Sequence, residues 1–292
     1  MPRIVLLLVV VVVGGASSAW AAELPVLFVH GFCSSADTWS DTLKQLPSRR
    51  YGDQAGRYFE GSTGTAQAKV PGTSATKTFL IDFSDLSGGF GSVAVANVPS
   101  RRKGGELKVV IDEIKRLTGA PSVILVAHSL GGLVARAYIE GIAYGRSDGL
   151  IGYGRDVASL IMVSTPHQGS PLANISGQPG FEACALADTT NLRELEPASP
   201  LVTVLNIINW PKETPAHSIV SNNRRRNSDD VVSVTSQDMT MLPRYSRSIE
   251  MRRWLQEFQR DGILHTRVHG EPTTVSLITG IVTDLDNGVV RR

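Results

Sequence analysis

The chain has 292 residues, 42% of them hydrophobic and 19% charged, with a formal charge of +2 at pH 7. That apolar content is ample for one large α/β core, and the near balance of charge gives no electrostatic case for nucleic-acid binding. Only Cys33 and Cys184 occur, and no Cys or His spacing suggests zinc.

Residues 1–21 read as a secretory signal peptide: Arg3 gives the positive start, Ile4 to Val13 the apolar centre, and Ala19-Trp20-Ala21 a small-x-small cleavage site. The apolar run is shorter than the roughly 20 residues a membrane span needs. A secreted or otherwise extracytoplasmic protein is therefore expected, with one domain over 22–292. In such a compartment two readings stand for Cys33 and Cys184: a single disulfide closing a long loop, or two buried free thiols. Arg101-Arg102-Lys103 and Arg224-Arg225-Arg226 read as solvated loop faces.

Leu24 to Val29 is the first strand candidate, ending at His30-Gly31-Phe32. Ser34 or Ser35 can cap a helix from about Ala36 to Leu46 with Trp39, Leu43 and Leu46 on one face. A Gly- and Thr-rich loop is expected from Tyr51 to Lys77, then a strand at Thr78 to Phe83 and a glycine-rich passage to Gly105. Glu106 to Leu117 has the amphipathic spacing of a helix. Val123 to Ala127 is continuous and β-branched, as a buried parallel strand should be, and Leu130 to Ile142 is spaced as a packed helix. Val157 to Ser164 and His217 to Ser221 are further strand candidates. Met251 to Phe258 is a short helix candidate, and Ile263 to Val268 is expected as the last strand, before a final helix.

Ser129 falls between strand and helix in Ala127-His128-Ser129-Leu130-Gly131-Gly132. At such a turn the residues two away must be small, the serine hydroxyl faces the crevice at the strand's carboxyl end, and the helix start offers unpaired N–H groups. His128, in the variable position beside it, is expected to point elsewhere. His30-Gly31-Phe32, Ala127 to Gly132 and Ser164-Thr-Pro-His-Gln-Gly-Ser-Pro171, in this order and spacing, resemble the α/β-hydrolase lipases and esterases; lipid-anchor deacylases of that fold are also similar. The resemblance implies an α/β fold with a mostly parallel central sheet flanked by helices. It places a cap or lid at 168–215, after the strand ending near Ser164.

The same resemblance implies a serine hydrolase cleaving carboxylic esters, lipid or acyl esters above all, with Ser129 as nucleophile and the N–H groups of Phe32 and Leu130 as oxyanion hole. Its chain order puts the acid in Ser228-Asp229-Asp230-Val231, where Asp229 is taken ahead of Asp230, which replaces the usual glycine. The base is taken as His269, at the end of the expected last strand, ahead of His265 inside it. His167 reads as a loop-organising residue and His217 comes too early. No cofactor is required, and a structural Ca²⁺ of the kind found in some related lipases has no signature here. The expected partners are an ester or lipid substrate and, transiently, a lipid interface. An acyltransferase on the same triad, or a lipid- or partner-binding protein without turnover, is the alternative; pocket shape and water access separate them.

Overall fold

The computed structural model describes residues 23–83, 95–171, 189–242 and 251–288. Its strands are β1 Val26–Val29, β2 Gly56–Glu60, β3 Ala66–Val70, β4 Thr78–Ile81, β5 Val123–His128, β6 Val157–Val163, β7 Ala216–Asn223 and β8 Met251–Phe258. They form one eight-stranded sheet in the order β3-β2-β4-β1-β5-β6-β7-β8, parallel except for the β2–β3 pair. The longer helices are α1 Ser100–Thr118, α2 Leu130–Ile139, α3 Pro200–Ile207 and α4 Pro272–Asp286.

Alternation along the strands builds two cores. Leu27, Val29, Val123, Leu125 and Ala127 face one side, under Leu107, Val110 and Ile111 of α1 and Leu133 and Val134 of α2. Val26, Phe28, Ile124 and Val126 face the other, under Trp39, Ile278 and Val282. Because β1 and β5 are buried on both faces they read as unbroken apolar runs, and each such side chain contributes about 1.5–3 kcal/mol by burial. The expected mostly parallel sheet flanked by helices is what the chain forms.

Several elements differ from the sequence expectation. The loop expected over 51–77 contains β2 and β3; β3 is a largely exposed strand at the end of the sheet, and Ala66, Ala68 and Val70 alternating with Gln67 and Lys69 make only a short, weakly apolar signal. Helix α1 starts at Ser100, six residues early. Glu194 caps it from another part of the chain, accepting from Ser100 N–H and Oγ–H, and the helix includes Gly104 and Gly105, where Ala143 and Tyr144 pack too closely to admit a Cβ.

Met251–Phe258 is a strand, not a helix. Its apolar residues Met251, Trp254, Leu255 and Phe258 fall at helical spacing, but all eight residues pair with β7 in parallel register, so tertiary pairing overrides the local pattern. Ile263 to Val268 is consequently not the last strand: it belongs to the loop leaving β8 and to the 3₁₀ turn Val268–Gly270. The expected signal peptide, Cys184 of the disulfide reading, and residues 172–188 of the expected cap lie outside the described residues.

Candidate active site

Strand β5 delivers Ser129 to the carboxyl edge of the sheet with φ 54° and ψ −126°. A positive φ costs a residue with a Cβ about 1–2 kcal/mol, and the surroundings hold it there. Ser129 N–H donates to Val163 O at 3.0 Å, and its carbonyl accepts Gly132 N–H at 3.0 Å. Contact on all sides explains the small residues around it. A Cβ on Gly131 would lie 2.5 Å from His30 O and 2.8 Å from Val29 O, one on Gly31 would lie 3.0 Å from Ser129 Cβ, and one on Gly132 would run into the Thr165 side chain.

The carboxylate at the site comes from the loop after β7. Asp229 is fully buried, and its Oδ1 accepts the N–H groups of Val231 (3.1 Å) and Val232 (2.7 Å). Those bonds fix the orientation of the carboxylate. Its Oδ2 lies 2.7 Å from Nδ1 of His265, and Nε2 of His265 lies 2.8 Å from Ser129 Oγ. His265 N–H also donates to Asp229 O at 3.0 Å, so ring and main chain meet the same residue.

The structure therefore brings Ser129 and Asp229 together, as expected, but through His265 and not His269. The reason lies in β8. Since the final strand is 251–258, the loop leaving its carboxyl end carries His265, and His269 falls one turn later. There its carbonyl accepts Thr42 Oγ–H at 2.8 Å, and its ring packs against Trp39 and His128 at centroid distances of 5.4 and 4.8 Å. Its buried Nδ1 has no hydrogen-bond partner. Burial above all, with the Thr38 main chain opposing and His265 nearby, brings its pKa down to about 4, which keeps it neutral.

His128 does not point elsewhere. It lines the site, its Nε2 lies 3.0 Å from the carbonyl of His265, and its ring is 4.9 Å from the His265 ring. Desolvation, then the neighbouring His269 and His265, holds its pKa well below the ordinary value. Its signal in the sequence was only its place beside Ser129. His167 does organise a loop: Arg136 Nη1 lies 3.1 Å from its Nδ1, and its carbonyl accepts Asn206 Nδ2–H.

A pocket of about 260 Å³ opens over the serine, lined by Phe32, Cys33, Ser34, Thr38, His128, Ser129, His265 and Thr266. Phe32 follows β1 and Leu130 opens α2, where first-turn N–H groups lack helical partners. Asp230 meets Asn223 and Leu264 instead. Among the described residues no three His, Cys, Asp or Glu side chains are placed to share a metal ion.

Residues 21–178 match the family of PGAP1-like alpha/beta domains. No curated protein matches the chain in sequence. Similar solved structures include the lin2722 gene product of Listeria innocua, 17% identical with a TM-score of 0.60 over 88% of this chain and 92% of that one. The mature lipase BlEst2 of Bacillus licheniformis is 18% identical, TM-score 0.52, over 89% and 92%. Lipase B of Aspergillus fumigatus is 14% identical, TM-score 0.53, over 92% of this chain and 55% of that one. With the sheet order and the strained serine after β5, these likenesses give the chain an α/β-hydrolase fold, and it belongs to the PGAP1-like alpha/beta domain family.

Proposed function

We propose that the protein is an exported serine hydrolase of carboxylic esters, lipid or acyl esters above all. One observation carries the reading: Ser129 Oγ, the His265 ring and the Asp229 carboxylate form a continuous hydrogen-bonded relay of 2.8 and 2.7 Å. Ser129 Oγ attacks the acyl carbonyl as its proton passes to His265 Nε2, and Asp229 holds the tautomer and stabilises the imidazolium. The oxyanion is taken by the N–H groups of Phe32 and Leu130, donors of a kind that each contribute a few kcal/mol in the transition state. His265 then protonates the leaving alcohol, and water activated by the same ring hydrolyses the acyl-enzyme.

Export rests on the leader-like segment at 1–21, and the choice of ester on the pocket above Ser129 and on the shared fold of enzymes named lipases. The test is a p-nitrophenyl ester series from short to long acyl chains, with Ser129→Ala beside the unaltered protein. Turnover that falls at least about 10⁴-fold in the variant is expected. Turnover unchanged by the substitution, or none with any ester, would refute the reading.

A further inference from the structure

Asp230 is a negatively charged residue where a glycine would be at ease. Its φ is +77°, a region that a residue with a Cβ adopts at a cost. Its side chain is nevertheless fully engaged. Oδ2 accepts Asn223 Nδ2–H at 2.6 Å and the main-chain N–H of Leu264 at 3.0 Å, while Arg226 faces Oδ1 at 3.3 Å. Leu264 immediately precedes His265.

We propose that Asp230 is the positioning residue of the catalytic base: it fixes the peptide entering His265, so that the imidazole stands in line between Asp229 and Ser129. The inference rests on the reading of His265 as the base. The loop from Asp261 to Arg267 leaves an edge strand and contains no regular ladder of its own, so its path is set by what holds its main chain. Contacts from other parts of the chain do so. Asn223 holds Arg260 at the entry to the loop, its Oδ1 accepting Arg260 N–H at 3.0 Å and its Nδ2 donating to Arg260 O at 3.1 Å, Asp230 takes Leu264 N–H, Asp229 O takes His265 N–H, and His128 meets the His265 carbonyl.

Asn223 joins this clasp to Asp230, since its Nδ2 donates to Asp230 Oδ2 as well as to Arg260 O. Asp230 thus carries the hold of Asn223, at the end of β7, from Arg260 on to the peptide that enters His265. Losing that acceptor strands the Leu264 N–H and lets the ring drift, and a base displaced by about 1 Å can cost up to about 100-fold in rate. The two neighbouring acids divide the work: Asp229 orients the ring, and Asp230 orients the backbone that bears it.

The experiment compares the unaltered protein with Asp230→Gly, Asp230→Asn and Asn223→Ala. Asp230→Gly relieves the backbone and removes only the acceptor, whereas Asp230→Asn tolerates positive φ and still offers an oxygen to Leu264 N–H. Two readouts are used: kcat and KM on a p-nitrophenyl ester, and the far-downfield proton resonance of the hydrogen bond between His265 Nδ1 and Asp229. Expected are a kcat at least about tenfold lower in Asp230→Gly with KM within about twofold, and a resonance broadened or lost. Asp230→Asn should stay within about threefold with the resonance intact, and Asn223→Ala should fall between. An Asp230→Gly variant with kcat within about twofold and an unaltered resonance would overturn the proposal. If the unaltered protein hydrolyses no ester, the reading of the site fails, while the resonance still decides whether Asp230 positions His265.

Discussion

The turn after β5 and the loop after β8 each bring one side chain to the same pocket, but β5 lies between β1 and β6, whereas β8, among the described residues, pairs with β7 alone. Ser129 is accordingly held by backbone and steric contact: carbonyls of Val29 and His30 pressed against Gly131, and main-chain bonds to Val163 and Gly132. His265 and the loop that bears it are held by polar groups: Asp229 and His128 on His265 itself, Asp230 on Leu264, and Asn223 on Arg260 and Asp230. A central strand can impose a strained serine through packing. A loop leaving an edge strand has no neighbour on one side and depends on hydrogen bonds to fix its path.

The comparison can be broken first at the polar side. Asp229→Asn keeps the shape of the acid but disturbs the tautomer of His265; kcat should drop about 10³- to 10⁴-fold while Tm changes little by comparison. Steady-state kinetics and a melting curve check this together. At the packed side the balance reverses. Gly131→Ala places a Cβ against two carbonyl oxygens, and a stability loss of at least about 3 kcal/mol is expected, read by denaturant unfolding.

Acid should loosen both regions. His30 near Ser129, His269 near the base and His217 in β7 are held by burial at about 4, against an unfolded value near 6.5. The unfolded chain therefore binds protons first, and stability falls as pH drops from about 6.5 towards 4, by about 1.4 kcal/mol per pH unit for each such ring. Melting between pH 7 and 4 measures the slope, and His269→Ala should lower it by one proton.

The smallest effect is the counterpart of Gly131→Ala on the base loop. Gly262 has φ +76° and a Cβ there would meet only Arg267 Nη2 at 3.5 Å. Gly262→Ala should cost about 1 kcal/mol with activity nearly kept. Equal losses in the two glycine variants would remove the contrast between the regions.

The same contrast explains what could be read without coordinates. The serine turn was legible because packing against β1 and Thr165 demands small residues at fixed offsets, and those offsets are written in Ala127, Gly131 and Gly132. Strands β1, β4, β5 and β6 were legible because burial on both faces makes them continuous apolar runs. Strand β8 was not: on the edge it alternates little, and Met251, Trp254, Leu255 and Phe258 mimic one face of a helix. Placing the last strand one segment late put the expected base at His269, whereas the ring that meets Ser129 and Asp229 is that of His265. Asp229, expected from its place after β7, does meet a histidine ring, but the contacts of Asp230 depend on Asn223 and Leu264, far apart in the chain, and have no local pattern.

The central claim is that His265 is the base that activates Ser129. A fluorophosphonate probe that labels activated serines tests it in three proteins side by side: unaltered, His265→Ala and His269→Ala. The account predicts labelling of Ser129 in the first, a rate lower by at least about 10³-fold in His265→Ala, and a rate within about tenfold of the unaltered protein in His269→Ala. Labelling that survives in His265→Ala and is lost in His269→Ala would contradict it.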